Sequence, residues 1–155
     1  MVRTYNLKLR ASEARCYALR LKPEEDLVQG IRTFVNRHRL RAVAVVTCVG
    51  SVMRAKLRFA NVETWAEKSG PFEILSLSGI IDEHSEHLHI GLADSEGRCI
   101  GGHIGLGSTI YTTAEIVLAE LVGLEFRRTP CPLSGYEELI VQPRQCDPDE
   151  ERDET

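Results

Sequence analysis

An α+β domain with a largely antiparallel sheet is the fold class the sequence predicts, and three observations predict it. Short segments such as MRAKLRFANVE (53–63) and HLHIGLA (87–93) alternate apolar and polar residues, as half-buried strands do. KPEEDLVQGIRTFVNRHR (22–39) instead repeats its apolar residues at helical spacing. RAVAVVTCVGSV (41–52) is β-branched and almost continuously apolar, the pattern of a central strand covered on both faces. Several strands in series with one clear helix make an α+β domain, its sheet packed against one or two helices.

In chain order, YNLKLR (5–10) and CYALRL (16–21), joined by the turn-like ASEAR, predict an opening hairpin. The helix that follows has Pro23 in its first turn, with Glu24, Glu25 and Asp26 complementing the positive end of the dipole. Leu27, Ile31, Phe34 and Val35 form its buried stripe, and Arg37, His38 and Arg39 are the cations of its C-terminal end. The central strand is expected to end at Gly50. A separate strand over 53–63 then sets Arg54, Lys56 and Arg58 on one face, a basic stripe that suits phosphates and equally suits solvent. FEILSLSGII (72–81) is a strand entered through the turn Ser69-Gly70-Pro71. HLHIGLA and RCIGGHI (98–104) make a hairpin, Ile110 to Phe126 fits helix or strand, and GYEELIVQP (135–143) is a closing strand. Residues 144–155 are expected to be a disordered acidic tail: the last ten, CDPDEERDET, carry six acids and one base.

Composition bounds the function. A chain of 155 residues, 43% hydrophobic and 27% charged, suits a single globular domain, here 1–143. No apolar run approaches the ~20 residues of a membrane-spanning helix. MVRTYNLKLRASEAR lacks the apolar core of a signal peptide, so a cytoplasmic or nuclear protein without a membrane partner is expected. The five cysteines are scattered and never spaced as CxxC, which argues for reduced thiols, with Cys16, Cys48 and Cys99 as small core residues. A net charge of −4 argues against a chain built to coat nucleic acid.

Three of the five histidines fall between His87 and His103. His87 and His89, two apart in a strand, share a face, with Leu88 and Ile90 on the other. A three-residue loop of Ser95, Glu96 and Gly97, with the glycine left-handed, would set His89 opposite His103 and converge all three rings. A two- or four-residue loop would set His103 against Leu88 unless a bulge at Gly101-Gly102 restored the register. Three converging neutral imidazoles suit a divalent metal, zinc above all, with a fourth position left open. Glu115 is a candidate acid, base or ring-orienting partner, and Asp82, Glu83 and Glu86, beside a solvated His84, are mainly solvating acids of which one could orient a ring. GGHIGLG lacks the Lys-Ser/Thr of a phosphate loop. No catalytic triad is present in the pattern.

SGPFEILSLSGII, HLHIGLADSEGRCIGGHIGLGSTIYTTAEI and the closing FRR…SGYEEL together resemble the plants and prokaryotes conserved (PPC) domain family, from about Tyr5 to Val141. The resemblance implies an antiparallel sheet packed on helices, a homotrimer, and a strand rather than a helix at 110–126. It also implies that His87, His89 and His103 are the metal site of stand-alone prokaryotic members. Plant members add AT-hooks and act as nuclear transcription regulators; no AT-hook segment occurs in this sequence. Their partner-binding hexapeptide corresponds to Gly70, Pro71, Phe72, Glu73, Ile74 and Leu75, with Pro71 standing where arginine is expected. Two functional readings follow. One is a trimeric metal-binding module with a regulatory role through DNA or transcription factors. The other is a zinc-dependent enzyme or small-molecule binder with an open coordination position.

Overall fold

A computed structural model describes residues 10–145. The segment 5–9 of the expected opening hairpin and residues 146–155 of the expected acidic tail lie outside the described residues. Among the described residues, eight strands and one helix follow in order: β1 (Ala14–Leu21), α1 (Leu27–Arg37), β2 (Val43–Arg58), β3 (Ala66–Ile81), β4 (Glu86–Ala93), β5 (Cys99–Gly105), β6 (Ile110–Leu121), β7 (Leu124–Pro130) and β8 (Glu137–Pro143). Every strand pairing is antiparallel. The predicted α+β class holds, with one helix among the described residues, and Ile110 to Phe126 is β6, a turn at Val122-Gly123 and the start of β7. No helix among the described residues is long and apolar enough to cross a membrane.

The main sheet runs β1-β6-β2-β3-β4-β5, and β5 pairs again with the far end of β2. The length of β2 makes this possible. Its first part, from Val43 to Val52, pairs with β6, and its last three residues, Lys56 to Arg58, pair with β5. Strands β2 to β5 therefore close on one another. The sequence placed a strand end at Gly50 and a second strand at 53; instead one strand of 16 residues passes through, irregular where its register shifts between Val45 and Thr47, between Gly50 and Val52, and between Val52 and Arg54. Such irregularities let a long strand bend and change partners. Ser69-Gly70-Pro71, expected as a turn, lies inside β3, where Ser69 pairs with Arg54.

The helix begins four residues later than Pro23. Asp26 is its N-cap and accepts from the Gln29 amide at 2.8 Å. The residues before it are committed elsewhere: Glu24 N donates to Ile110 O and Ile110 N donates to Glu25 O, so this stretch pairs with the start of β6 rather than coiling. Leu27, Val28, Ile31 and Val35 are fully buried against the sheet, each burial contributing about 1.5–3 kcal/mol. Phe34 of the expected stripe sits at the margin, edge-on to Tyr17 at 5.7 Å between ring centres. Of the cysteines expected in the core only Cys48 is buried, its thiol pushed up to about 11 by burial, whereas Cys16 and Cys99 are exposed. Strands β7 and β8 form a separate ribbon that docks through Leu124 and Phe126 on Ala42.

Candidate metal centre

The β4–β5 hairpin places the histidines. Asp94 Oδ1 accepts from the amides of Glu96 and Arg98, and Asp94 O accepts from the amide of Gly97, whose φ of 78° is the left-handed conformation that glycine adopts without strain. The loop thus holds three residues, Ala93 pairs with Cys99, and His89 stands opposite His103. Leu88, Ile90 and Leu92 turn into the core and leave His87 and His89 on the outer face. The register expected from Gly97 is the register found.

Nε2 of His87 lies 3.2 Å from Nε2 of His89, which lies 3.1 Å from Nδ1 of His103. Three nitrogens each about 2.0–2.1 Å from one tetrahedral centre would stand roughly 3.3 Å apart; two of the separations meet that value and all three nitrogens lie within 4.8 Å of one another, which is the donor set a zinc-sized ion needs. The protonation states agree. Burial, helped by the charge of Arg58 and the two other rings, pushes the His103 imidazole down to about 4. Burial and the charges of His89 and Arg128 also lower His87. Both rings are neutral near pH 7 and offer lone pairs rather than protons.

A cavity of about 750 Å³ opens beside the cluster, with His87 and His103 on its wall. Arg58 reaches it because β2 pairs with β5 there, Arg58 opposite His103 and Lys56 opposite Gly105. Two members of the basic stripe thus face this cavity, and Arg54 is not in its lining. Glu115 lies on β6 between Arg20 and Val49 and is likewise outside the lining. Of the hexapeptide, Ile74 is buried, Phe72 packs partly on the core, and Glu73 and Leu75 are exposed. His84 stands apart from the cluster beside Glu83.

Sequence reasoning missed Arg128, Trp65 and Tyr136, which complete the cavity wall. Arg128 comes from β7 and donates through Nε to Asp82 at 3.2 Å. Asp82, read from sequence as solvating, is 4% exposed and also accepts from the His84 and Ser85 amides and from Ser85 Oγ. Burial alone would raise its carboxyl, but these hydrogen bonds and that of Arg128 outweigh it and hold the group below its ordinary range. The FRR run was the one sequence signal for Arg128. Its role depends on how the β7–β8 ribbon docks, and no local pattern carries that.

The family model of the Plants and Prokaryotes Conserved (PCC) domain matches residues 9–122. The bifunctional protein GlmU of Synechococcus sp. (strain JA-3-3Ab) is 44% identical over 128 residues, covering 83% of this chain and 21% of that protein. The chain thus spans about a fifth of the length of the first curated relatives it matches. A solved structure from Salmonella cholerae-suis is 41% identical, with a TM-score of 0.86 over 88% of this chain and 99% of that one. A structure from Archaeoglobus fulgidus, described as a metal-containing protein, is 25% identical, with a TM-score of 0.74 over 86% of this chain and 99% of that one.

Proposed function

The chain belongs to the Plants and Prokaryotes Conserved domain family, and from that premise we propose that it is a metal-binding module whose His87, His89 and His103 hold a divalent ion, zinc by preference. The convergence of three ring nitrogens at 3.1 and 3.2 Å carries this reading. The description of the Archaeoglobus relative as metal-containing supports it. When bound, zinc would supply a Lewis acid with one position free for a ligand. The chain's own residues do the rest: Leu88 and Ile90 anchor β4 in the core, the Gly97 loop fixes the register, and burial keeps His87 and His103 unprotonated.

Metal content per chain, measured on protein purified without a histidine tag, tests the reading. About one zinc per chain, lost in His89→Ala, is expected. Wild type that stays metal-free after zinc is supplied would sink it.

The module works as a homotrimer in this reading, an arrangement supported by apolar side chains left open on the central strands: Val46 and Val49 on β2, Leu75 on β3 and Tyr111 on β6. A regulatory role through DNA draws on Arg54, repeated three times in a trimer, and requires duplex binding that weakens steeply with salt. The small-molecule or enzymatic reading has the stronger support, because Lys56, Arg58, His87 and His103 share one cavity. Any hydrolytic turnover is expected to vanish with the metal in His89→Ala.

A further inference from the structure

Three cations stand beside the histidine cluster, an unusual setting for a dication held by neutral ligands. Lys56, Arg58 and Arg128 all line the cavity that His87 and His103 border. Three imidazoles leave the full double charge of a bound ion in place, and each nearby cation raises the energy of that arrangement. An anion in the cavity would relieve it.

The cations are built into the cavity wall with hydrogen-bonding capacity to spare. Arg128 is anchored through Nε to the buried Asp82, and its Nη2 is the buried side-chain nitrogen or oxygen without a hydrogen-bond partner among the described residues. A buried donor of this kind is costly unless an acceptor meets it. Arg58 lies over the Trp65 ring, 5.9 Å from its centre, and no carboxylate pairs with it or with Lys56 among the described residues. Of the acids at the cavity, Glu86 is engaged with Arg32 at 3.3 Å, while Glu137 and Glu138 are exposed on β8, with Glu138 near enough to favour the charged form of His87, and none of them pairs with Arg58, Lys56 or Arg128 among the described residues. Trp65 packs so closely on β5 that a Cβ on Gly105 would come within 2.7 Å of its ring, which fixes one wall as a flat aromatic surface. Tyr136 adds a second aromatic ring. The volume, about 750 Å³, is that of a small-molecule site.

We propose that this cavity binds a small organic oxyanion, a carboxylate or phosphate, with its charged head on Arg128, Arg58 and Lys56, its body against Trp65, and one oxygen turned toward the histidine nitrogens. Only that last contact rests on the metal reading. Arg128 and Tyr136 reach the cavity from beyond residue 122, where the family match ends, so the anion site is partly made by the β7–β8 ribbon.

Trp65 is the chain's single tryptophan and stands on the cavity wall, so its fluorescence reports occupancy directly. The experiment titrates zinc-supplied protein with inorganic phosphate, phenyl phosphate and benzoate, and measures metal content on the same samples. A saturable change is expected, with the aromatic probes distinguishing a phosphate site from a carboxylate site. Arg128→Gln and Arg58→Gln are each expected to weaken it at least about tenfold with metal content unchanged. Arg58→Gln serves as the independent check because Arg128→Gln also strips a partner from buried Asp82. No saturable response to any of the three probes at about 10 mM, or full binding in both variants, would overturn the proposal even with one metal per chain. Saturable binding to a wild type that holds no metal would uphold the oxyanion site and overturn the metal reading alone.

Discussion

His103 joins two properties that bear on stability as well as on metal binding. Its pKa is lowered in the fold from 6.5 to about 4, first by burial and then by Arg58 and the neighbouring rings. The unfolded chain takes up a proton here below about pH 6.5, and the folded chain refuses it until about pH 4, so the stability of metal-free protein falls as pH drops through that window. Thermal melts of chelator-treated protein across the same range are expected to show a flatter pH dependence for His103→Gln than for wild type. Parallel curves would show that the burial of this ring does not penalise its charge. At this scale the three histidines were legible from the sequence because a two-residue period and one glycine locate them. Asp82 and Arg128 were not, since a buried ion pair between the β3–β4 loop and β7 leaves no trace in the local pattern.

Among the elements, the β4–β5 hairpin was read in detail and β2 was not. The hairpin is local: the 20 residues from Glu86 to Gly105 contain both strands, the loop and the register. Two glycines in and beside it separate local from long-range constraint. Gly97 has a φ of 78° and open space around it, so Gly97→Ala should cost about 1–2 kcal/mol of backbone strain and keep the histidines in place. Gly79 on β3 has a φ of 142°, and a Cβ there would stand 2.0 Å from the carbonyl oxygen of His87. Gly79→Ala should therefore cost more, about 3 kcal/mol or above, and weaken metal binding by displacing the β4 backbone at His87. Denaturant unfolding with metal titration of both variants checks this; equal losses would refute the distinction. The helix start shows the same division. Asp26 caps the helix locally, yet the reason the first turn waits for Leu27 is a pairing with residues 108–110, more than eighty positions away in sequence.

For the molecule as a whole, the closure of β2 to β5 and the docking of β7–β8 bring residues from distant segments to one cavity. The opposite problem is the apolar surface left on β2, β3 and β6, where Val46, Val49 and Leu75 are more than half exposed. The proposed trimer covers it, so wild type is expected to sediment at three times the chain mass, and Val49→Arg with Leu75→Arg is expected to shift the population to monomer while the far-ultraviolet spectrum is kept. A wild-type monomer would remove the trimer. The sequence by itself determined the α+β class, the helix stripe, the hairpin register and the histidine triad, because each depends on periodicities and turn chemistry that act within about twenty residues. The continuity of β2 through Gly50, its exchange of β6 for β5, and the arrival of Arg58 and Arg128 beside the histidines were decided only in three dimensions. Those features depend on which strand edges meet, and that is settled by the packing of the whole chain rather than by any segment of it.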